Sequence, residues 1–482
     1  MTTMHDPKQR TEEPTLKRAI GPKLLFFLVL GDILGTGIYA LVGSVAGRIG
    51  GALWVPFLVA FVVALFTALS YLELVAKYPR AAGAALYTQR AFRIPFLTFL
   101  VAFAVMSSGI TSASAAAHAF AATYLQPFLA WPVLPVAVGF LVVLGLINFR
   151  GVAESVKLNV VLTGVELSGL LIVIAVGVYA LANGQGEPSR LLEIDTSNRS
   201  LLQAVAGATS LAFFAMVGFE DAVNMAEECR APERIFPRAL LSGLAVAALI
   251  YVLVAITASL LLPVATLSAA KSDALLKVIE TGAPGFPLQV FAGIGLLAVI
   301  NSALINMLMA SRLLYGMANE RILPTLFGTV HPSRRTPWVS ILFTTAIAIA
   351  LVATVGEDGV RKLGGTTALL LLWVFTIVNI ACLVLRRKEV KRSRFRAPTA
   401  APVLGAILCA FLALPVLSGR PASDYVIALA LLALGIALWG IQRLWIGLSR
   451  KISTSEEESG GMRQPAMSDA IEQPGSDPAR RS

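Results

Sequence analysis

Apolar runs of bilayer-crossing length recur along almost the whole chain, and no other feature constrains its fold as strongly. They fall at about 24–45, 51–73, 94–124, 131–149, 156–182, 201–226, 237–262, 287–318, 337–355, 364–385, 402–418 and 424–447. A helix needs roughly 20 residues to cross the hydrocarbon core, and longer runs must tilt or reach into water. The run at 402–418 is short and flanked by prolines. Charged residues make up 14% of the 482 and apolar residues 57%, where a soluble domain carries about 25% charged. An all-α integral membrane protein is therefore expected; a soluble enzyme, a secreted disulfide scaffold and a disordered chain are excluded.

Positive charge orders the spans. With the N-terminus inside, the inner segments and their helix ends hold 31 of the 39 Lys and Arg residues. The opposite side holds Arg48, Arg190, Arg199, Lys271, Lys277, Arg361, Lys362 and Arg420. Acidic residues show no such bias, as expected of a rule about Lys and Arg. One span added or lost would scramble this alternation, so twelve spans with both termini cytoplasmic are expected. The net charge of +11 is spread along the chain rather than gathered in one arm, so nucleic acid is not an expected partner. Cys229, Cys382 and Cys409 are scattered and odd in number, and His5, His118 and His331 lie far apart. No disulfide framework and no metal site is expected. Lys17, Arg18 and Lys23 before an apolar run mimic a secretion signal, but no small-residue cleavage site follows. The basic run at 386–396 reads as a topology anchor, with anionic-lipid binding as the alternative.

Two spans carry polar interruptions. The first, LLFFLVLGDILGTGIYALVG, places Gly31, Gly35 and Gly37 around Asp32 and Thr36. Glycine weakens a helix by about 1 kcal/mol relative to alanine, and it also permits close packing or close approach of a ligand. The sixth span, AGATSLAFFAMVGFEDAVNMAEECRAPERIFP, places Gly218 before Glu220 and Asp221. If the first ten spans form two five-helix halves, spans one and six correspond, and an odd number per half makes the halves inverted. Paired interruptions at corresponding positions point to the central site of a transporter.

Four ordered motifs then carry a family resemblance: GDILGTGIYALVG, YPRAAGAALY at 78–87, which is similar to a loop before the third helix, FFAMVGFEDAVNMAEECRAPERIFP, and SRLLYGMANERILP at 311–324. The chain resembles amino acid permeases of the amino acid–polyamine–organocation superfamily, in particular bacterial relatives of the cationic amino acid transporters, over roughly residues 20–385. The resemblance implies a LeuT-like inverted five-plus-five fold with helices 1 and 6 discontinuous. Residues 24–385 would form the ten-helix core, with a first repeat at 24–182 and an inverted second repeat at 201–385. Two added helices would follow at 402–447, with cytoplasmic tails at 1–23 and at 448–482, the latter disordered. It also implies secondary transport of amino acids or related amines in a bacterial cytoplasmic membrane, with no cofactor and no obligate protein partner.

The same resemblance assigns residues. Gly35 would make the bend, with Thr36 and Gly37 in the unwound segment beside a substrate carboxylate. A positive half-helix end with free N–H groups suits an anion. Phe214, Ala215, Val217 and Gly218 would meet the substrate amine and side chain, with Phe214 as a lid or as an ordinary packed aromatic. Asp32 is costly in hydrocarbon unless paired or facing water. Glu220, with Asp221 beside it, would contact substrate or cap the helix break. Glu227, Glu228, Arg230 and Arg234 would form gate salt bridges or a solvated loop, and Arg312 would support the end of span eight.

Span five departs from the pattern. Some proton-coupled members of the superfamily carry a lysine there, and this chain has Glu166. Glu166 is therefore a candidate for the coupling proton, for neutralising a cation in the pocket, or for fixed structure, with Asp32 and Glu220 as the other coupling candidates. His118 lies in a small-residue stretch that packing explains. No nucleophile–base pair, phosphate loop or fused nucleotide module is present, so an enzyme is not expected. Proton-coupled transport leads, with an exchanger or amine permease as the alternative and a channel or sensor on the same scaffold as a third.

Overall fold

The computed structural model describes residues 20–79, 83–151, 156–196, 199–388 and 395–461. In chain order its helices are α1 (Pro22–Ile33), α2 (Thr36–Ile49), α3 (Trp54–Lys77), α4 (Gly83–Phe92), α5 (Pro95–Ala119) and α6 (Val133–Arg150). Then come α7 (Val156–Ala182), α8 (Leu201–Ala212), α9 (Phe219–Ala222), α10 (Pro232–Leu261), α11 (Val264–Ala270) and α12 (Ala274–Gly282). The last six are α13 (Leu288–Asn319), α14 (Trp338–Val355), α15 (Gly359–Lys388), α16 (Ala400–Ala413), α17 (Pro415–Ser418) and α18 (Ala422–Gly461). Among the described residues, ten helical stretches are long and apolar enough to cross a membrane. One of them, Trp338–Lys388, contains both α14 and α15. The chain is an all-α, multi-span membrane protein.

Burial orders these stretches radially. Over an apolar 18-residue window in each, the pair α1–α2 is 78% buried and Leu201–Ala222 72%, whereas Val133–Arg150 and Ala422–Trp445 are 28% and 22%. The interrupted helices therefore lie at the centre and the uninterrupted α6 and α18 at the rim. Bilayer physics requires this order, because broken backbone at membrane depth is tolerated only where protein or a water-filled cavity covers it.

Three local expectations change. The 78–87 segment is not a loop throughout: it turns helical at Gly83, the start of α4. The run at 402–418 is broken in two, α16 and α17. Leu414 is extended (ψ 130°) before Pro415, which breaks α16 at Ala413 because proline disfavours helix in the residue preceding it. The tail expected to be disordered from 448 continues α18 as far as Gly461, through a segment rich in glutamate, a good helix former. Residues 1–19 and 462–482 lie outside the described residues, as do 389–394 of the basic run.

A buried ion pair ties one end of α15 to α3. Arg386 donates from Nε to Glu73 Oε1 at 2.9 Å and from Nη2 to Glu73 Oε2 at 2.5 Å. Arg386 Nη2 also donates to the Ala397 carbonyl at 2.7 Å, and the Ala397 N–H donates to Glu73 Oε2 at 3.0 Å. The pair thus fixes the segment leading into α16. Breaking a buried pair from one side leaves an uncompensated charge and costs about 3–5 kcal/mol. Glu73→Gln should therefore lower the melting temperature of the detergent-solubilised protein, and Glu73→Met combined with Arg386→Met should recover most of the loss. An unchanged melting temperature in Glu73→Gln would mean that the pair does not hold this junction.

Candidate functional site

The first break spans two residues. Leu34 leaves the helical region (φ −72°, ψ 50°) and Gly35 is extended (φ −106°, ψ −150°) before α2 begins at Thr36. Thr36 and Gly37 therefore open the second half-helix rather than lying in unwound chain. The orphaned carbonyl of Ile33 accepts from Tyr251 Oη at 2.6 Å and from the Gly35 N–H at 2.8 Å. The Tyr39 carbonyl accepts from Tyr124 Oη at 2.6 Å, and Tyr39 Oη donates to the Glu166 carbonyl at 2.5 Å. Buried tyrosines thus bind backbone oxygen on both sides of the break, where an unmet carbonyl would be costly.

The second break follows α8. A 3₁₀ turn covers Phe213–Met216, Val217 is extended, and Gly218 takes φ +116° before α9. That φ favours glycine, and proximity makes glycine necessary here: a Cβ on Gly218 would lie 2.6 Å from the Asp32 carbonyl oxygen. A Cβ on Gly37 would lie 2.5 Å from Ala215 Cα. The two breaks therefore touch backbone to backbone at two points. Glu220 Oε2 accepts from the Gly218 N–H at 2.9 Å, capping the break from which it extends.

A cavity opens where the breaks meet, enclosing about 600 Å³ including its mouth. From the breaks it is lined by Asp32, Gly35, Thr36, Gly37, Phe214, Val217, Gly218, Glu220 and Asp221. Three further helices complete the wall: α5 with Ser108, Gly109 and Ser112, α13 with Ser302 and Asn306, and α15 with Thr367 and Leu371. Among the described residues, three carboxylates line it and no Lys, Arg or His does. Thr36 is 1% exposed, and its hydroxyl has no hydrogen-bond partner. It sits at the N-terminus of the 14-residue α2, whose first N–H groups lack intrahelical acceptors. Phe214 packs where α15 and α2 converge, since a Cβ on Gly364 would lie 3.1 Å from its ring and 3.3 Å from Leu41. A smaller void beside α4 shares Val105, Glu220, Asp221 and Leu313 with the main cavity.

Most of the sequence candidates meet here, with exceptions. Ala215 packs against the position of Gly37 and is not on the wall. Glu166 is also off the wall: it is fully buried one layer behind, where its Oε1 accepts from Asn301 Nδ2 at 3.0 Å and its Oε2 has no partner. Neutralising a charge in the pocket by direct contact is therefore not a role for Glu166 in this conformation. Arg234 and Arg312 are exposed, and the side chains of Glu227 and Glu228 lie outside the described residues. Asn301 and the wall residues of α5, α13 and α15 escaped the sequence reading. The available signal was spacing, because Ser108 with Ser112 and Ser302 with Asn306 each recur four residues apart, on one helix face.

The far end of the molecule is closed by α11 and α12. A Cβ on Gly43 of α2 would run into the Leu267 and Lys271 carbonyls. Thr123 Oγ1 donates to Ser272 Oγ at 2.8 Å, and Lys271 Nζ meets Asp358 Oδ1 at 2.9 Å. The hydrogen bond to Asp358 holds the Lys271 ammonium above the usual lysine range, so that end of the pair keeps its charge at neutral pH.

Residues 20–439 match the amino acid permease family, and the chain belongs to it. It is 28% identical to a transporter of Mycobacterium bovis over 95% of this chain and 98% of that one. It is 27% identical to the methylthioribose transporter of Bacillus subtilis over 83% of this chain and 88% of that one. Among solved structures it resembles a mutant manganese transporter of Eremococcus coleocola, with a TM-score of 0.55 and 15% identity over 87% of this chain and 94% of that one. That likeness concerns the fold alone. The chain is thus a membrane permease, not an enzyme, and it moves a small solute across the bilayer by secondary transport.

Two substitutions separate the roles of Thr36 and Gly37. Thr36→Val keeps the shape and removes the unpartnered hydroxyl, so it should weaken substrate binding about tenfold, the scale of one hydrogen bond to a charged group, with an unchanged melting temperature. Gly37→Ala forces a methyl against the Ala215 backbone and should lower thermal stability and binding together. Binding by Thr36→Val equal to wild type would remove the hydroxyl from the site.

Proposed function

We propose that this permease carries amino acids across the bacterial cytoplasmic membrane by proton-coupled alternating access. The observation that carries the proposal is the unpartnered Thr36 hydroxyl at the N-terminus of α2, on the wall of a cavity that also presents three carboxylates and several hydroxyls. Donors at a positive helix end suit the substrate carboxylate. The acidic residues and Asn306 on the wall suit its ammonium. Phe214, packed at the junction of α2 and α15, is assigned the lid.

The architecture assigned to it is twelve spans in a LeuT-like inverted five-plus-five arrangement, with 24–182 and 201–385 as the repeats. Residues 402–447 are added helices, and both termini are cytoplasmic. The match between α1–α2 and α8–α9, broken at corresponding places, supports the repeat, and the Lys and Arg distribution supports the orientation. The void beside α4 extends the cavity toward the basic face, so the conformation is assigned as inward-facing.

Glu166 is assigned the coupling proton. Its Oε2 is buried without a partner, and its helix contacts two helices that line the site: Tyr39 of α2 bonds its carbonyl and Asn301 of α13 bonds its side chain. A change in the angle between α2 and α13 would alter both contacts. An amine substrate is the second reading, favoured by Asp32, Glu220 and Asp221 on a wall that, among the described residues, has no basic side chain.

Uptake of radiolabelled amino acids and polyamines into proteoliposomes with an imposed pH gradient tests the function, and counterflow without a gradient distinguishes exchange from symport. Glu166→Gln should lose gradient-driven accumulation while retaining substrate binding and counterflow. Accumulation by Glu166→Gln equal to wild type would pass the coupling role to Asp32 or Glu220. Loss of binding and counterflow together with a lower melting temperature would make Glu166 a structural residue.

A further inference from the structure

A second recess lies apart from the transport cavity, between the ends of four helices on the face rich in Lys and Arg. It encloses about 900 Å³ including its mouth. Gln89 of α4, Thr98 of α5, Glu320 and Arg321 after α13, and Trp439 and Arg443 of α18 line it. Its level in the bilayer follows from the helices: α5 begins at Pro95, and the apolar run that α18 carries ends at about 447. The recess therefore opens at the boundary between hydrocarbon and headgroups.

Its side chains are held in place. The Arg443 guanidinium lies 5.0 Å from the Trp439 ring centroid, a cation–π distance. Trp439 is itself braced by Phe96 edge-on at 5.0 Å and by Phe99 stacked at 6.2 Å. Arg321 leaves the end of α13 in the left-handed region, at φ 54°. Thr98 donates to Gln89 Oε1 at 2.7 Å, which leaves the Gln89 amide hydrogens as donors. Two guanidinium groups against the single carboxylate of Glu320 give the recess a net charge of one positive. Below it, Ile94 and Phe96 are 51% and 37% exposed.

We propose that this recess binds the headgroup of an anionic glycerophospholipid of the phosphatidylglycerol type. Its phosphodiester carries one negative charge, matching the net charge of the recess. Arg321 and Arg443 take the phosphate oxygens, the headgroup hydroxyls donate to Glu320 and accept from Gln89, and the acyl chains lie along Ile94 and Phe96. Basic pockets between membrane helices bind anionic headgroups in this way. The bound lipid joins α5 and α13, which line the transport cavity, to α18, which does not. The proposal is independent of the substrate and of the coupling ion.

The test is the melting temperature of the full-length protein in detergent with added phosphatidylglycerol or phosphatidylcholine. Wild type should gain more from phosphatidylglycerol, and Arg321→Gln and Arg443→Gln should each weaken the apparent lipid affinity about fivefold. Arg334→Gln, which removes an exposed arginine of the same face outside the recess, should keep the full gain. Inorganic phosphate should give none, because it lacks acyl chains. An equal gain from phosphatidylcholine, an equal gain from phosphate, or a full phosphatidylglycerol gain in the Arg321→Gln/Arg443→Gln double variant would each overturn the proposal.

Discussion

The architecture depends on one contact, the crossing of two broken helices at van der Waals distance. Gly218 faces the Asp32 carbonyl and Gly37 faces Ala215 so closely that a single Cβ at either glycine would clash with main chain. This closeness lets two interruptions share one covered space at membrane depth. Apart, each break would expose unpaired N–H and C=O groups to hydrocarbon, at several kcal/mol per group. Together they leave a polar pocket whose donors come from one break and whose acceptors come largely from the other.

The crossing needs support on both sides, and tyrosine supplies it. Tyr251, Tyr124 and Tyr39 come from three different stretches of chain, and each hydroxyl reaches a backbone carbonyl. A phenol suits this task because its ring packs as an apolar body while its hydroxyl donates at the far end. Two of these bonds involve Tyr39, three residues beyond Thr36, so the floor of the pocket and the Glu166 layer behind it share one side chain. A shift of α2 therefore cannot leave the surroundings of Glu166 unchanged.

The crossing was legible in the sequence because it depends on residues that apolar helices otherwise avoid. Glycines around Asp32 and a glycine before Glu220 and Asp221 stand out in spans that are apolar elsewhere. The opposite wall was not legible. Ser108, Ser112, Ser302 and Thr367 are the small hydroxyl residues that tightly packed membrane helices also use, so their composition does not distinguish a cavity face from a packing face. Ala215 shows the converse error, since its place within the motif suggested a lining residue and close packing turned it against Gly37. Glu166 stood out by its charge, but its distance from the cavity depends on how α7 is rotated against α2 and α13. Apolar periodicity does not fix that rotation in a helix with apolar residues on every side.

Charge at the two ends of the molecule separates firm joints from yielding ones. At one end Glu73 and Arg386 are buried and share four hydrogen bonds with each other and Ala397. Near the other, buried Arg420 donates to carbonyls of Leu412, Gly365 and Ser210, binding α16, α15 and α8. Bonds of this kind resist separation, because parting them strands a charge in a medium that cannot solvate it. The Lys271–Asp358 pair is half-exposed on both sides, and water can replace either partner at little cost. Motion that opens the cavity to the far side therefore has a cheap contact to break at α11–α12 and costly ones to preserve at α3–α15 and α8–α15. In the alternating access proposed for this chain, α11 and α12 should accordingly part from Asp358 at the start of α15 while α3, α8, α15 and α16 travel as a connected frame.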